Sequence, residues 1–383
     1  MKILHLCLAC FYIDHYSYQE NLLPKYHKKM GYEVKIVASL MSFDANGDRC
    51  YLSGSSEYIN EDGIPVKRLS YKTPEKIGKL FRTYNGTYEA IEEFAPDIIF
   101  IHGVQFADIS KVVKYVKKNP ETKVFVDNHS DFSNSANNWI SKNIQHKIIW
   151  KHYAQMINPF TERFYGVLPA RVDFLINMYG LPKEKVELLV MGVDDEMLKD
   201  IDFQSARANI RKKYNIAEDD FLLINGGKID KWKPQTLLLM DAVNQMDNPK
   251  VKLIVFGSVT EELKDEVLKR CSDKVQYIGW VVAKDSYQYF AASDLVVFPG
   301  RHSVFWEQVA GQGIPMVVKY WEGTTHVDRC GNVKFLNDDT EKEIALAIHE
   351  VMDNYEDYKN AAEEAKKQFL YSSIARKAIE NNE

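Results

Sequence analysis

The sequence predicts an α/β protein of two doubly wound, Rossmann-like domains, each with a parallel sheet covered by helices on both faces. Three observations support this fold class. The chain has 383 residues, more than the roughly 100–200 residues of a typical domain. Short apolar runs alternate with longer amphipathic stretches, which is the pattern of buried parallel strands and covering helices. The same alternation begins again after a charged, helical join at residues 197–219.

The first half, residues 1–197, reads as one such domain because apolar runs and helical stretches alternate from its first residues onward. The runs that predict strands are residues 2–8, 33–38, 97–101, 123–126, 166–168 and 186–190. The stretches that predict helices are residues 19–30, 84–94, 107–118, 141–163 with a break near Pro159, and one that ends at Tyr179. Gly31 and Pro96 mark two of the helix ends.

The second half repeats this organisation, and we assign residues 198–365 to a second domain. Strands are predicted at 221–225, 252–256, 275–278, 295–298 and 316–319. Helices are predicted at 234–245, 261–270, 286–292, 304–312 and 340–354. Ligands of doubly wound sheets bind at the carboxyl ends of the strands, where helix N-termini offer free N–H groups. We therefore expect the functional residues in the loops after the strands, in a cleft between two facing domains.

Composition excludes several classes of protein. The net charge of −5 disfavours a nucleic-acid-binding protein, which needs a positive field. An apolar run long enough to span a membrane and a secretory signal are both missing from the sequence, so we expect a cytoplasmic protein. The five scattered cysteines predict reduced thiols. Cys7 and Cys10 form a C-x-x-C pair, but without a second pair we interpret them as small apolar residues at a strand end.

The strongest candidate site is a glycine turn between a predicted strand and a helix. It reads Asn225-Gly-Gly-Lys-Ile-Asp-Lys-Trp-Lys-Pro234. The glycines allow a ligand to approach the backbone closely. Lys228 and Lys233 lie five residues apart, so both ammonium groups can converge on one anion, such as a departing diphosphate. A solvated basic turn is the alternative interpretation. The spacing is that of neither a dinucleotide fingerprint nor a P-loop.

A second candidate follows the strand at 295–298. Ser303 is a suitable N-cap for the next helix, whose start favours a diphosphate. Glu307 lies one turn later, on the same face of the helix, where its carboxylate can accept hydrogen bonds from both hydroxyls of a ribose. The alternative role of Glu307 is to stabilise the helix dipole. We expect Arg301, His302, Gly257 and Val281, which also follow predicted strands, to complete this site.

A third candidate is Asp127-Asn-His-Ser-Asp131, directly after the strand at 123–126. His129 suits a contact with a sugar hydroxyl or a proton transfer, and Asp127 can orient it. We interpret the nearby His102 as a buried, hydrogen-bonded histidine. Patterns for a zinc protease and for an α/β-hydrolase elbow are absent from the sequence.

Taken together, these loops resemble the retaining glycosyltransferases of family 4, which have the GT-B fold. Gly227-Lys228-x4-Lys233 matches the spacing of the G-R-x4-K loop that grips the donor diphosphate in that family. The segments 275–299, 188–194 and 97–103 resemble three further family motifs. Residues 366–383 resemble the C-terminal helix that crosses back onto the N-terminal domain. The resemblance implies that residues 1–197 bind the acceptor and residues 198–365 bind the nucleotide sugar.

The sequence departs from the family in two places. Glu307 matches the second Glu of the family's E-x7-E, but Pro299 stands eight residues earlier, so the Glu that normally helps to hold the donor sugar is missing. The glycine-rich N-terminal loop is replaced by Ala9-Cys-Phe-Tyr12. Residues 301–307 and 319–328 resemble a subgroup that acts on bacterial capsule and cell-surface polysaccharides.

The resemblance implies a hexosyltransferase that moves a sugar from a UDP or GDP sugar, with retention and without a metal ion, onto a glycan or a lipid-linked saccharide. We expect the acceptor near Asp14, Tyr16, Tyr18 and Glu20. A nucleotide-sugar 2-epimerase and a non-enzymatic nucleotide-sugar-binding scaffold remain alternatives. Basic residues 27–29 and 114–118 on helices of the first domain suggest peripheral contact with the inner membrane face, although a solvated surface also accounts for them.

Overall fold

The computed structural model describes residues 1–9, 11–44, 49–231 and 234–380. The chain forms two compact units. The first comprises Met1–Val190 together with Ile374–Glu383, and the second comprises Met191–Ser373. Each unit is a parallel-dominated sheet covered by helices, so the predicted α/β fold with two Rossmann-like domains is confirmed.

The first unit is built on an eight-stranded sheet. Its strands are β1 (Lys2–Cys7), β2 (Glu33–Ser39), β5 (Ser56–Ile59), β6 (Pro65–Leu69), β7 (Ile98–His102), β8 (Lys123–Asn128), β9 (Thr161–Gly166) and β10 (Val186–Leu188), and β3 (Met41–Phe43) and β4 (Arg49–Tyr51) form a separate hairpin. The strand order in the eight-stranded sheet is β10-β9-β8-β7-β1-β2-β6-β5. Within this sheet, β5 is the only strand that runs antiparallel to its neighbour, β6. The strand order reverses between β1 and β7, which is where ligands of such sheets bind.

Helices cover both faces of this sheet and enclose an apolar core. They are α1 (Gln19–Lys29), α2 (Glu75–Phe81), α3 (Thr87–Phe94), α4 (Ile109–Lys118), a π-helix (Ser141–Trp150), α5 (Lys151–Ile157) and α6 (Pro169–Asn177), with short 3-10 turns at Asn158–Phe160 and Lys183–Lys185. The predicted helix at 141–163 is therefore too long. Pro159 cannot continue it because proline lacks the N–H and clashes with the preceding turn. The chain enters β9 at Thr161, five residues before the predicted strand.

The second unit has a six-stranded, wholly parallel sheet in the order β13-β12-β11-β14-β15-β16. Its strands are β11 (Phe221–Gly226), β12 (Val251–Phe256), β13 (Val275–Tyr277), β14 (Leu295–Phe298), β15 (Met316–Lys319) and β16 (Val333–Leu336). The order reverses between β11 and β14, so the carboxyl ends of these two strands mark the expected ligand site. The sequence analysis missed β16, a four-residue strand at the sheet edge whose apolar run is interrupted by Lys334.

The second unit's helices are α7 (Asp195–Lys199), α8 (Phe203–Lys213), α9 (Gln235–Gln245), α10 (Glu261–Lys269), α11 (Ala283–Ala292), α12 (Phe305–Gln312), α13 (Glu341–Asp353) and α14 (Tyr355–Ala365), with 3-10 turns at Thr325–Val327 and Lys366–Phe369; α15 (Tyr371–Lys377) follows. An apolar core lies between the sheet and helices α9 and α13. Across the described part of the chain, no helix combines the length and the apolar character needed to cross a membrane.

Candidate functional site

The glycine turn after β11 is held against the turn after β12. Gly227 has φ +134° and Gly257 has φ +130°, a backbone region that side-chain-bearing residues rarely adopt. A Cβ on Gly257 would lie 1.9 Å from the carbonyl oxygen of Gly227, well inside van der Waals contact. Both positions therefore need glycine, and the two turns meet backbone to backbone.

Hydrogen bonds fix this turn to its neighbours. The buried Asn225 side-chain amide donates to the carbonyl of Val297 on β14, at 2.7 Å. Its side-chain oxygen lies 3.5 Å from the hydroxyl of Thr236 on α9. The hydroxyl of Tyr277 donates to the carbonyl of Gly257 at 2.7 Å. The end of β11 is thereby tied to β14 and to the helix that follows, and the turn after β12 is tied to β13.

A pocket opens at these strand ends, where the order of the sheet reverses. It encloses about 310 Å³, including the part open to solvent, and its lining residues are Asn225, Gly226, Gly227, Lys228, Thr236, Phe298, Pro299, Gly300, Arg301 and Ser303. The pocket thus joins the two loops that the sequence singled out separately. Four predicted donor-binding residues line it, namely Gly227, Lys228, Arg301 and Ser303.

Lys228 reaches from this pocket towards solvent. Its side chain is 62% exposed and its Nζ lies 3.9 Å from a carboxylate oxygen of Asp230. This distance is too long for a hydrogen bond, so an incoming anion can compete for the ammonium group. Lys233, the second predicted cation, lies outside the described residues. The predicted donor residues Gly257, Val281, His302 and Glu307 are not among those that line the pocket.

Glu307, in the first turn of α12, is held by two histidines. Its side chain is fully buried, and Oε1 accepts hydrogen bonds from Nε2 of His302 and Nε2 of His326, each at 2.7 Å. The other carboxylate oxygen of Glu307, Oε2, is buried and has no hydrogen-bond partner among the described residues. The two histidines occupy one carboxylate oxygen, so the predicted binding of a ribose by Glu307, which stays a prediction, would use the other. Glu307 remains a candidate ribose ligand through Oε2 alone.

The histidines also determine the charge of Glu307. Burial by itself raises the pKa of this carboxyl, but ion pairing and hydrogen bonding with His302 and His326 outweigh burial and hold the pKa well below its ordinary range. Burial lowers the pKa of His326, against the opposing effect of Glu307. Glu307 is therefore an anion fixed by two imidazoles. The sequence missed His326 because it lies nineteen residues away on a loop.

Ser303 does not cap the helix as predicted. Helix α12 begins at Phe305 with Val304 at the N-cap position, and no side chain caps it. The carbonyl of Ser303 accepts a hydrogen bond from the backbone N–H of Trp306 at 3.0 Å. Ser303 therefore contributes to the first turn through its backbone, while the residue itself lines the pocket.

A second polar cluster lies at the strand ends of the first unit. Nε2 of His129 is 3.5 Å from Oδ1 of Asp127 and 3.7 Å from Oε1 of Glu20. These distances are close for charges but long for hydrogen bonds. Nε2 of His129, Oδ1 of Asp127 and Oε1 of Gln19 are buried and have no hydrogen-bond partner among the described residues. Such converging unsatisfied atoms suit a bound hydroxyl group.

The charges in this cluster support one another. Burial lowers the pKa of His129, but Glu20 and Asp127 outweigh burial and raise it above its ordinary value. Burial raises the pKa of Asp127, but His102 and His129 outweigh it and hold that pKa well below the usual range. The cluster therefore favours an ionised Asp127 beside a readily protonated His129. His102 is fully buried and hydrogen-bonded, as the sequence predicts.

The four predicted acceptor residues have different surroundings. Glu20 is buried beside His129. The carboxylate of Asp14 is held by Arg68 at 3.0 Å and by the hydroxyl of Tyr58 at 2.8 Å. Tyr16 and Tyr18 form an aromatic pair with ring centroids 5.2 Å apart. Of the predicted acceptor residues, the structure places Glu20 directly in the polar cluster of the first unit.

Within the part of the chain that the structure describes, two groups of side chains have ligand atoms within 4.8 Å of one another, the spacing of a metal site: Glu20, His102 and His129 form the first, and His302, Glu307 and His326 the second. In both groups, hydrogen bonds already engage the histidine nitrogens that a metal ion would need, on His102 in the first group and on His302 and His326 in the second. Both ring nitrogens of His102 face partners in other residues, and the Nε2 atoms of the second group face one carboxylate oxygen. We therefore interpret neither group as a metal site.

Sequence comparison and structure comparison both find glycosyltransferases among the proteins most similar to this chain. Residues 22–197 match the family described as Glycosyltransferase Family 4, and residues 206–368 match the family described as Glycosyl transferases group 1. Mannosylfructose-phosphate synthase of Agrobacterium fabrum is 23% identical over 215 residues, which cover 52% of this chain and 45% of that protein. The match thus spans about half the length of this curated relative.

Solved structures share the fold over nearly the whole chain. Anabaena HepE in complex with UDP gives a TM-score of 0.66 at 17% identity, covering 98% of both chains. The same protein has been solved with UDP and glucose, with a TM-score of 0.63. A glycosyltransferase of Rickettsia africae gives 0.68 at 13% identity, covering 98% of this chain and 96% of that one.

Proposed function

Since this chain belongs to the family 4-like glycosyltransferases of the GT-B fold, we propose that it transfers a hexose from a nucleotide-diphosphate sugar, with retention of configuration, onto a glycan or lipid-linked saccharide. We place this reaction in the synthesis of a bacterial surface polysaccharide, at the cytoplasmic side of the membrane. The observation that carries the proposal is the pocket at the ends of β11 and β14, with Lys228 beside two obligatory glycines.

The diphosphate of the donor is proposed to occupy this pocket. Gly227 lets the phosphate oxygens approach the backbone, and Lys228 and Lys233 neutralise the charge that grows on the leaving diphosphate as its bond to the sugar breaks. Arg301 lines the same pocket and adds a further cation. With these side chains supplying positive charge, the scheme assigns no step to a metal ion.

His129 is proposed to contact a hydroxyl of the transferred sugar. Its Nε2 is buried and unsatisfied among the described residues, and so is Oδ1 of Asp127, so a sugar hydroxyl can donate to one and accept from the other. The leaving phosphate takes the proton of the acceptor hydroxyl on the same face of the sugar, which retains the anomeric configuration. HepE, which shares this fold, was solved with UDP, and this favours UDP over GDP as the donor nucleotide.

The decisive experiment is a donor screen followed by a transfer assay. In a thermal-shift screen of UDP and GDP sugars, we expect a UDP sugar to raise the melting temperature because a ligand that binds only the folded state stabilises it. The bound donor is then incubated with and without saccharide acceptors. Release of UDP that depends on an acceptor supports transfer. Epimerised donor without an acceptor identifies a 2-epimerase, and binding without turnover identifies a scaffold; either result contradicts the proposal.

The two lysines are tested by substitution. We expect Lys228→Ala and Lys233→Ala each to lower kcat by about 10²–10³-fold, the usual cost of losing one group that stabilises transition-state charge. Lys264→Ala is the matched control, since Lys264 is exposed on α10 and its Nζ lies 3.9 Å from Glu261. Near-normal turnover in both lysine variants would contradict the assignment.

A lipid-linked acceptor requires contact with a membrane, and we propose a surface for this contact other than the predicted basic residues 27–29 and 114–118. His27 is fully buried, and Lys28 donates to the carbonyls of Asp62 and Gly63. The segment 139–148 instead exposes four large apolar side chains, Trp139, Ile140, Ile144 and Ile148. Residues 132–161 contain three lysines and no acidic residue. Such a surface suits the boundary of an anionic membrane.

Co-sedimentation with vesicles tests this contact. We expect binding to vesicles that contain anionic phosphatidylglycerol, weaker binding to neutral vesicles, and loss of binding in the double variant Trp139→Ser, Ile148→Ser. The control is Ile59→Ser with Leu346→Ser, since both residues are exposed apolar side chains elsewhere in the chain. Equal binding of both double variants would show that this surface is not the contact.

A further inference from the structure

A row of three histidine side chains crosses the interior of the first unit. Nε2 of His27 lies 2.8 Å from the carbonyl oxygen of Ala375 on α15. Nδ1 of His27 lies 3.0 Å from Nε2 of His5. Nδ1 of His5 lies 3.0 Å from Nε2 of His102, and Nδ1 of His102 lies 2.8 Å from Oδ2 of Asp127. All four side chains are fully buried. The row thus runs from a backbone carbonyl to the carboxylate beside His129.

The hydrogen bonds of this row require one proton more than three neutral imidazoles carry. A carbonyl oxygen can only accept, so His27 donates from Nε2 and, if neutral, accepts at Nδ1. His5 must then donate from Nε2 and accept at Nδ1, and His102 must donate from Nε2. The second nitrogen of His102 faces a carboxylate oxygen and must donate as well. Four contacts need four protons, and three neutral imidazoles supply three.

The electrostatics of the row locate the extra proton. Burial, with His27 and His102 nearby, lowers the pKa of His5 well below its ordinary value. Burial lowers the pKa of His27 to about 4. The pKa of Asp127 is held low despite burial, by His102 and His129. The proton therefore belongs on His102, where a buried positive charge is paired directly with an ionised carboxylate.

We propose that His5 and His27 keep His102 doubly protonated, and that this imidazolium fixes Asp127 as a charge-compensated partner of His129. Gln19 donates to the same oxygen of Asp127 at 3.1 Å, which leaves Oδ1 facing His129. The three histidines are positioning residues, since they act on His129 through Asp127. Without the imidazolium, the bare carboxylate of Asp127 would hold a proton on His129 more strongly.

The other charged groups around His129 stay constant in the test. Glu20 on α1 raises the pKa of His129 and Arg171 on α6 lowers it. Cys7 on β1 stays a neutral thiol, because burial raises its pKa well above the ordinary value. Arg68 also influences this thiol. None of these groups contributes a hydrogen bond to the row.

The proton count is measured directly by NMR of the full chain with ¹⁵N-labelled histidine, the signals being assigned by single substitutions. Between pH 6 and 8 we expect a hydrogen on both ring nitrogens of His102, and on Nε2 only of His5 and His27. A His102 with a single N–H across this range overturns the proposal.

Two substitutions at one position then test the effect on His129. In His5→Gln the amide donates to His27 and accepts from His102, so the row keeps its direction and its extra proton. In His5→Leu the acceptor for Nε2 of His102 is lost, and His102 becomes neutral. We expect the titration midpoint of His129 to be unchanged in the Gln variant and raised by about one pH unit in the Leu variant. Equal midpoints in both variants contradict the proposal.

The inference builds on the proposed role of His129 in transfer, but NMR titration needs no activity. If wild-type protein transfers no sugar, the proposed function fails while the proton count is still decided. If transfer is observed, its pH profile in His5→Leu should shift in the same direction as the His129 midpoint and recover in His5→Gln. A purely structural role would lower the rate at every pH.

Discussion

At the scale of single residues, two buried carboxylates in this protein are controlled by histidines. Glu307 is shared by His302 and His326, and Asp127 is bonded to His102 and lies near His129. In both places the histidines outweigh burial and keep the carboxylate ionised. Charged groups away from water persist only when such partners are present, so these histidines are part of each site.

The raised pKa of His129 predicts a dependence of stability on pH. A group whose pKa is higher in the folded state contributes stability below its ordinary value of 6.5, and this contribution is lost as the pH rises through the folded pKa. We expect His129→Gln to lower the free energy of unfolding most at pH 6, and progressively less towards pH 9. Urea unfolding of the wild type and of His129→Gln at several pH values between 6 and 9 measures this difference in the free energy of unfolding.

The matched control is His152→Gln, because His152 is an exposed histidine on α5. Its effect on the free energy of unfolding should be small. A difference between wild type and His129→Gln that stays constant from pH 6 to pH 9 would show that Glu20 and Asp127 do not stabilise the imidazolium.

At the scale of elements, the donor pocket depends on how β11 and β12 end. Their two glycine turns meet so closely that the position after β12 has no room for a Cβ, whereas the position after β11 has open space around it. The hydrogen bond from Asn225 to β14 then holds the third strand in place. The geometry of the pocket is therefore set by backbone contacts between turns.

Two alanine substitutions separate strain from collision. Gly227→Ala introduces backbone strain alone, which costs about 1–3 kcal/mol, since a Cβ there has no neighbour within 4 Å. Gly257→Ala adds a collision with the carbonyl of Gly227 at the same kind of φ. We expect Gly257→Ala to lower the free energy of unfolding more than Gly227→Ala does, as measured by chemical denaturation. Equal losses would mean that the two turns do not touch.

At the scale of the whole molecule, each unit has its own sheet, core and point of strand reversal. The reversal lies between β1 and β7 in the first unit and between β11 and β14 in the second. Each of the two polar sites lies beside one of these reversals, as expected for doubly wound sheets. In the proposed function, the second unit binds the donor nucleotide.

This division predicts where UDP protects the backbone. At a concentration of about 100 times Kd, a ligand adds about 2.7 kcal/mol of stability. We expect hydrogen exchange measured by mass spectrometry to slow at residues 225–230 and 298–303 when UDP is added, while residues 125–131 keep their rates. Protection confined to the first unit would contradict the placement of the donor.

The sequence by itself determined the fold class and most strands. Strands such as β1, β7, β11 and β14 are buried on both faces of parallel sheets, so they appear as uninterrupted apolar runs. It also identified the turn at Gly227 and the loop at Arg301, because functional loops follow strand ends. The sequence analysis missed most of strand β9 because its polar first half looks helical. Only its position between β8 and β10 makes it a strand.

The tertiary structure alone decided which distant side chains meet. The strand order brings together His5, His102 and Asp127, which belong to three neighbouring strands, and the packing of α1 adds His27. Glu307 likewise meets His326 only because a loop folds back over α12. Local periodicity records which face of an element is buried. It does not indicate which elements become neighbours in the fold. Hydrogen bonds between side chains of different elements depend on which elements are neighbours.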